Sequence, residues 1–411
     1  MPEPAESVSR QGLSSFSTCL TVATSAFIRR QSQTAFLLAP GACMVLPQCV
    51  TVSESQRQLV LRNAVAGFTP VVPNTLPPQP ISPRSPVQAA TLTPDNAAKP
   101  LVASTIAPDL TTLAPLGLAD FPRPAGDNGR GVHWIPTLRS TPQTVDQFVQ
   151  KAVAMHMKWV VFLNDGTNVG DNDYLVKRLV DNGIMPVMRV FTNGLEPIKG
   201  DIEGFVRHYR ALGVSYFQLY NEPNLMVETH GQPPDVNRYL DLWIPAARRV
   251  AAAGGLPGIG ALSPQGEMDD RQFLGSMLDA LSARGEENLL GRTWLAVHNY
   301  TGPRPISDPD GFLRFRQYDA IIREKLGRSL PMIGTEGGTH IGPGVDKQQQ
   351  VDMVLDAYQY MARHPDPYNF SYTYWIIANE AGGGRDASFS QHALYKEDGP
   401  TALAEALSRS A

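Results

Sequence analysis

The chain has 411 residues, with Lys+Arg 35 against Asp+Glu 39, a formal net charge of -4 and 42% hydrophobic residues. These values suit a soluble globular protein with a sizeable core, in one large domain or two to three average ones. The charge balance holds no block of one sign and so gives a nucleic acid no basic face; no run of about eighteen uninterrupted apolar residues is present to span a membrane.

Cys19, Cys43 and Cys49 are the only cysteines, and none has CxxC spacing. What folds after them does so without disulfides or a thiolate metal site. The run "TAFLLAPGACMVLPQCV" (34–50) follows Arg29 and Arg30 as a signal's apolar region follows its basic one. The match is loose: the run starts far from Met1, holds Pro40 and Pro47, and "PGAC" has proline where a lipoprotein cleavage box has leucine. Secretion or cell-surface location is the expectation it leaves open. Residues 68–125 are dense in Pro, Thr, Ala and Ser. Proline blocks helix and sheet pairing there, so the stretch reads as an extended linker behind a largely unstructured N-terminal segment, 1–67.

Beyond this point short β-prone runs alternate with amphipathic stretches. The strand candidates, in order, are "GVHWIP" (from 131), "WVVFL" (159), "MPVMRVF" (185), "YFQLY" (216), "PGIGAL" (257), "WLAVHNY" (294), "PMIGTE" (331) and "SYTYWII" (371). Each is followed by a helical pattern. The first has Thr141 as N-cap and Pro142 at the first helical position. "DYLVKRLVDNG" and "FVRHYRALG" end at glycines suited to the left-handed position past a helix. Eight such units fit one α/β domain, a (β/α)8 TIM barrel over 126–411, near the roughly 250 residues typical of that fold. A doubly wound sheet would place a Gly-rich phosphate loop after its first strand. Here the first strand leads into "TLRSTPQT", which has no glycine.

Active sites of barrels lie at the C-terminal strand ends. The polar residues there include His133, Arg189, Asn221, Glu222, His298, Tyr300, Glu336 and Trp375, with Asn164, Asp165, Asn193, Gln265 and Asn379 in the following turns. Glu222 and Glu336 stand out because each ends an otherwise apolar strand, the fourth and the seventh. Three units of barrel curvature set them facing across the mouth, as glycoside cleavage requires: one carboxyl protonates the leaving oxygen while the other attacks the anomeric carbon.

On these residues the chain from about 131 resembles the large clan of retaining (β/α)8 glycoside hydrolases. "NEPN" resembles the clan's strand-four motif, which implies Glu222 as acid/base and Asn221 as donor to the sugar 2-hydroxyl. "IGTEGG" is similar to the strand-seven nucleophile site, implying Glu336. "HNY" resembles a His-x-Tyr in which the tyrosine holds the nucleophile ionised, here Tyr300 with His298 one strand period earlier. "YTYWI" puts Trp375 where the clan often floors the -1 subsite. One departure concerns the arginine that several families carry on strand two: here strand two ends in "LNDGTN" and Arg189 stands on strand three. His133 on strand one is a further sugar-binding candidate.

The expected function is retaining hydrolysis of O-glycosidic bonds in an oligo- or polysaccharide, with a carbohydrate as partner, no cofactor, no metal and a monomeric chain. Two alternatives stand beside it: a carbohydrate-binding barrel without turnover, and a metal-assisted hydrolase or lyase using His133, His298 and His340. "NDGTNVGDND" (164–173) misses the acidic pattern of a calcium loop and reads as a turn. Glu228, Glu267 and Glu380 read as solvated loop carboxylates.

Overall fold

The computed structural model describes residues 115–379 and 387–410. The readings made above for residues 1–114, including the three cysteines and the signal-like run, and for Glu380, lie outside the described residues.

Eight parallel strands close into a barrel in sequence order. They are β1 (Arg130–His133), β2 (Trp159–Asp165), β3 (Met185–Phe191), β4 (Tyr216–Leu219), β5 (Leu256–Leu262), β6 (Trp294–Tyr300), β7 (Met332–Gly338) and β8 (Asn369–Tyr374). Closure comes from β1 pairing with β8, with Gly131 opposite Thr373. The predicted runs for β3 and β6 match the observed bounds. The eighth was placed over 371–377, whereas β8 stops at Tyr374.

Helices follow the strands as the periodicity predicts. In α1 (Pro142–Ala154) the Thr141 side chain accepts from the Thr144 backbone N–H at 3.2 Å, and proline occupies the first helical position. This cap satisfies one of the donors that a helix start leaves open. Gly213, after the helix Ile202–Leu212, adopts φ 110° in the left-handed region, as the sequence anticipates. No helix among the described residues is long and apolar enough to cross a membrane.

The period of two along each strand sorts the side chains into two cores. Val160, Phe162, Met188, Val190, Leu295 and Val297 join the core between strands and helices. The alternate residues Trp159, Val161, Val187, Tyr216, Trp294 and Ala296 form a separate interior cluster. Continuing that phase along β3 reaches Arg189, and along β6 His298 and Tyr300. Alternation that fills the barrel floor with aromatics thus delivers polar groups to its mouth.

Residues 115–125, the last part of the Pro-rich stretch, pack on this floor. Phe121 is buried in the interior cluster, the Tyr216 hydroxyl donates to the Pro122 carbonyl at 2.6 Å, and the Leu116 N–H donates to Gly291 O at 2.9 Å. An aromatic and an acceptor carbonyl anchor this part of the chain despite its composition. Within the 164–173 segment, read from sequence as a turn, residues 166–172 form the turn, while Asn164 and Asp165 end β2 and Asp173 opens a helix; the Asn164 side-chain amide donates to the carbonyls of Gly166 and Asn168 at 3.1 and 3.0 Å.

Candidate active site

Two local irregularities carry the paired glutamates. Past β4 the backbone adopts positive φ at Tyr220 (65°) and Glu222 (37°), values that residues with a Cβ rarely take and that concentrate at functional sites. The Glu222 N–H donates to Ala261 O at 3.0 Å, and Ala261 itself has φ 51° beside a register shift in β5. On the opposite side the β6–β7 register shifts after Val297, so that Val297 pairs with Gly334 but His298 pairs with Glu336. Such a bulge re-aims side chains. Here it brings His298 alongside Glu336.

The Glu222 and Glu336 side chains are almost wholly buried, at 3% and 4% exposure. One oxygen of Glu222, one ring nitrogen of His298 and one oxygen of Glu336 all lie within 4.8 Å of one another. Their surroundings differ. Arg189 Nη1 donates to Glu336 Oε1 at 2.7 Å and the Tyr300 hydroxyl donates to Oε2 at 2.8 Å. Glu222 has an amide and an imidazole instead: Asn221 Nδ2 donates to Oε2 at 3.2 Å, and His298 Nδ1 lies 3.0 Å from Oε1. The other His298 nitrogen, Nε2, is 3.8 Å from Glu336 Oε1. Arg189 thus reaches Glu336 from β3.

Beside the pair is a cavity of about 400 Å³, within the range of small-molecule sites. Glu222, Tyr300, Glu336 and Trp375 line it, with Ile341 and Phe389 adding apolar wall. Trp375 packs on His133, ring centroids 4.4 Å apart, and on Phe389 at 5.3 Å. His133 is fully buried with Nδ1 2.8 Å from Trp134 O, so it backs Trp375 and does not border the cavity. Arg189, Asn221 and His298 likewise reach the carboxylates from behind the cavity wall.

The turn residues separate from this group. Asn164 is committed to its turn, Asn193 and Gln265 are exposed, and Asn379 donates to Ser390 Oγ at 3.0 Å. Glu267 is exposed, as expected, and accepts from the Met226 N–H. Glu228 corrects the expectation of a solvated carboxylate: it is 6% exposed and accepts from Asn221 Nδ2 at 2.9 Å. The backbone beside it is fastened to the loop after β3, where Leu195 N–H donates to Glu228 O at 2.7 Å, a contact no sequence pattern signals.

Two histidines also join the site from late loops. His340 and His392 line the cavity with ring centroids 4.3 Å apart. Loss of solvent on burial, then Lys396, pushes the His392 imidazole down to about 4, and burial followed by the His392 neighbour holds His340 well below the usual histidine range. Both are neutral at pH 7. His392 follows a short 3-10 turn, Ala387–Gln391, that has no helical or strand periodicity to betray it.

Glu222, His298 and Glu336 could together ligate a cation. Against this, the Arg189 guanidinium already neutralises Glu336, and both Glu336 oxygens accept hydrogen bonds. A divalent ion would have to take the place of that charge.

No protein-family model matches the chain, and no curated protein matches it. Among solved structures, similarity is found to a family 39 glycoside hydrolase of Bacteroides cellulosilyticus, with 13% identity, TM-score 0.48, and coverage of 69% of this chain and 64% of that one. The chain is also similar to an endo-beta-1,3-glucanase of Pseudomonas viridiflava (18% identity, TM-score 0.44, 69% and 98% coverage). A third such structure is the endo-beta-1,4-mannanase of Thermotoga petrophila (11% identity, TM-score 0.45, 71% and 77% coverage). At these scores the likenesses assign no chemistry to this chain, which is left to its own side chains.

Proposed function

We propose that the protein is a glycosidase that hydrolyses O-glycosidic bonds with retention of configuration, Glu336 being the nucleophile and Glu222 the acid/base. The observation that carries this is the buried carboxyl pair within 4.8 Å, with a guanidinium on only one member. Retaining enzymes hold the two groups about 5 to 5.5 Å apart, whereas inverting ones leave about 6.5 to 9.5 Å for a water between them. That an oxygen of each carboxyl lies within 4.8 Å of one of the other supports the retaining arrangement.

The asymmetry of partners supports the division of roles. Arg189 and Tyr300 stabilise negative charge on Glu336, which suits a group that attacks as the carboxylate. Glu222 has an amide and an imidazole in place of a guanidinium among the described residues, which suits a group that gives up and regains a proton. In the first step Glu222 donates its proton to the glycosidic oxygen as that C–O bond breaks, and a Glu336 oxygen bonds to the anomeric carbon. In the second, Glu222 takes a proton from water as the water oxygen attacks the same carbon and displaces Glu336. The two inversions restore the starting configuration. No cofactor is required.

Turnover of a panel of 4-nitrophenyl β-glycosides by the wild type, Glu336→Ala and Glu222→Ala tests the assignment. Glu336→Ala should be inactive and regain turnover with azide, giving a glycosyl azide of inverted configuration. Full activity in Glu336→Ala would remove it from the reaction.

The three possible ligand groups make metal-assisted hydrolysis the second reading. Activity abolished by a chelator and restored by a divalent ion would favour it over double displacement.

A further inference from the structure

We propose that Phe191 and Asp165 form a second sugar-binding subsite at the barrel mouth, so that the substrate is an oligosaccharide and not a single sugar with a small leaving group; this rests on the glycosidase function proposed above. Phe191 ends β3, Asp165 ends β2, and the two residues pair directly in the sheet. Both continue the phase that points into the barrel, which runs through Val187 and Arg189 on β3 and through Val161 and Leu163 on β2. Phe191 therefore stands two residues, about 6.5 Å of strand, beyond the arginine that bonds Glu336. Apart from Glu222, the cavity is walled by residues at or after the ends of β6, β7 and β8. Phe191 and Asp165 thus lie across the carboxyl pair from it, where the next unit of a sugar chain would emerge.

The two side chains match the two kinds of surface on a pyranose, which carries C–H groups on its ring faces and hydroxyls around its edge. A flat apolar ring suits the faces and a carboxylate oxygen the hydroxyls. Phe191 is 36% exposed; the only other exposed aromatic side chain among the described residues, Tyr174, has its hydroxyl bonded to Asp146. An apolar ring left in water at the mouth of a cleft gains from being covered. Asp165 uses Oδ2 to accept from Asn168 Nδ2 at 3.1 Å, while Oδ1 accepts no bond from the described residues. The backbone holds both residues in place before any ligand arrives: Gly166 N–H donates to Phe191 O at 3.2 Å, and the Asn164 amide ties the turn that follows Asp165. Both groups are open to solvent, so a sugar can reach them without displacing protein.

The test measures kcat/KM of the full-length wild type, Phe191→Ala, Phe191→Tyr and Asp165→Ala on β-glycosyl fluorides and on β-linked trisaccharides of the same sugars, in the gluco, manno, galacto and xylo series. A glycosyl fluoride has one sugar and a one-atom leaving group, so it can react at the carboxyl pair without touching Phe191. Phe191→Ala should lose at least tenfold on the trisaccharide that the wild type hydrolyses best, chiefly through KM, and less than threefold on the matching fluoride. Phe191→Tyr, which keeps the ring, should stay within about threefold on both, and Asp165→Ala should show the same selectivity as Phe191→Ala. Equal losses on both substrates, or an unchanged trisaccharide rate in either alanine variant, would overturn the proposal. Isothermal titration of the trisaccharides into Glu222→Gln, with and without Phe191→Ala, gives a reading independent of turnover: Kd should rise at least tenfold without the ring, and no change would overturn the proposal. If the wild type hydrolyses none of these compounds while trisaccharide binding depends on Phe191, the glycosidase function fails and the subsite stands.

Discussion

Arg189 Nη1 and Glu336 Oε1 lie 2.7 Å apart from opposite sides of the barrel interior, each with only 4% of its surface exposed. A pair this deeply buried is costly to break, because the partner left behind is an uncompensated charge, at about 3–5 kcal/mol. Arg189→Met should therefore lower stability by that order in urea unfolding and reduce kcat/KM by at least about 100-fold, as Glu336 loses the cation bonded to its Oε1. The double variant Arg189→Met/Glu336→Gln removes both charges. It should recover most of the stability and none of the activity.

The Tyr300 hydroxyl donates to Glu336 Oε2 at 2.8 Å. A hydrogen bond to a charged acceptor is worth about 1.5–3 kcal/mol, which corresponds to roughly 10- to 100-fold in rate. Tyr300→Phe should lose that much kcat/KM while its thermal midpoint moves little, since the ring keeps its place against His298 and His340. A large drop in midpoint with normal kcat/KM would give Tyr300 a packing role instead.

His392 sets a pH dependence of stability. Its imidazole titrates near 4 in the folded chain, against a usual 6.5, because burial and then Lys396 disfavour the cation. Between those values the unfolded chain binds the extra proton, so stability is complete above about pH 6.5 and declines as pH falls toward 4. For this one group the loss is about 3 kcal/mol at most. Urea unfolding at pH 7 and pH 4.5 should show a decline smaller by about 2 kcal/mol in His392→Gln than in wild type. An identical decline in the two proteins would contradict the assigned cause.

The fold was legible wherever apolar period and turn chemistry agreed. "MPVMRVF" and "WLAVHNY" gave observed strand bounds, and Thr141 capped its helix as anticipated. "SYTYWII" misled at its end because Ile376 and Ile377 are apolar for another reason. Their carbonyls accept from Leu394 and Tyr395 N–H, so a later segment pairs with this stretch, while the Ile377 N–H donates to His133 O at the end of β1. Apolar content reports burial and does not say what does the burying.

In the site, Glu222, Glu336, His298 and Tyr300 were legible from their place at strand ends, where barrel closure alone gathers them. Glu228 and His392 were not, because each owes its position to a contact with a distant loop: Glu228 O with Leu195, and His392 with His340. His133, at the end of its strand, packs its ring on Trp375 with centroids 4.4 Å apart. Loop-to-loop contacts leave no period in a sequence, which is why the second group escapes it.

The most direct test of the central claim follows the anomeric configuration of the first sugar released, by 1H NMR, during hydrolysis of a 4-nitrophenyl β-glycoside by the full-length protein. Carboxyl groups within 4.8 Å, with Arg189 and Tyr300 on Glu336, predict that the β-anomer appears first and the α-anomer only later by mutarotation. If the α-anomer appears first, water attacks the sugar directly and Glu336 is not the nucleophile.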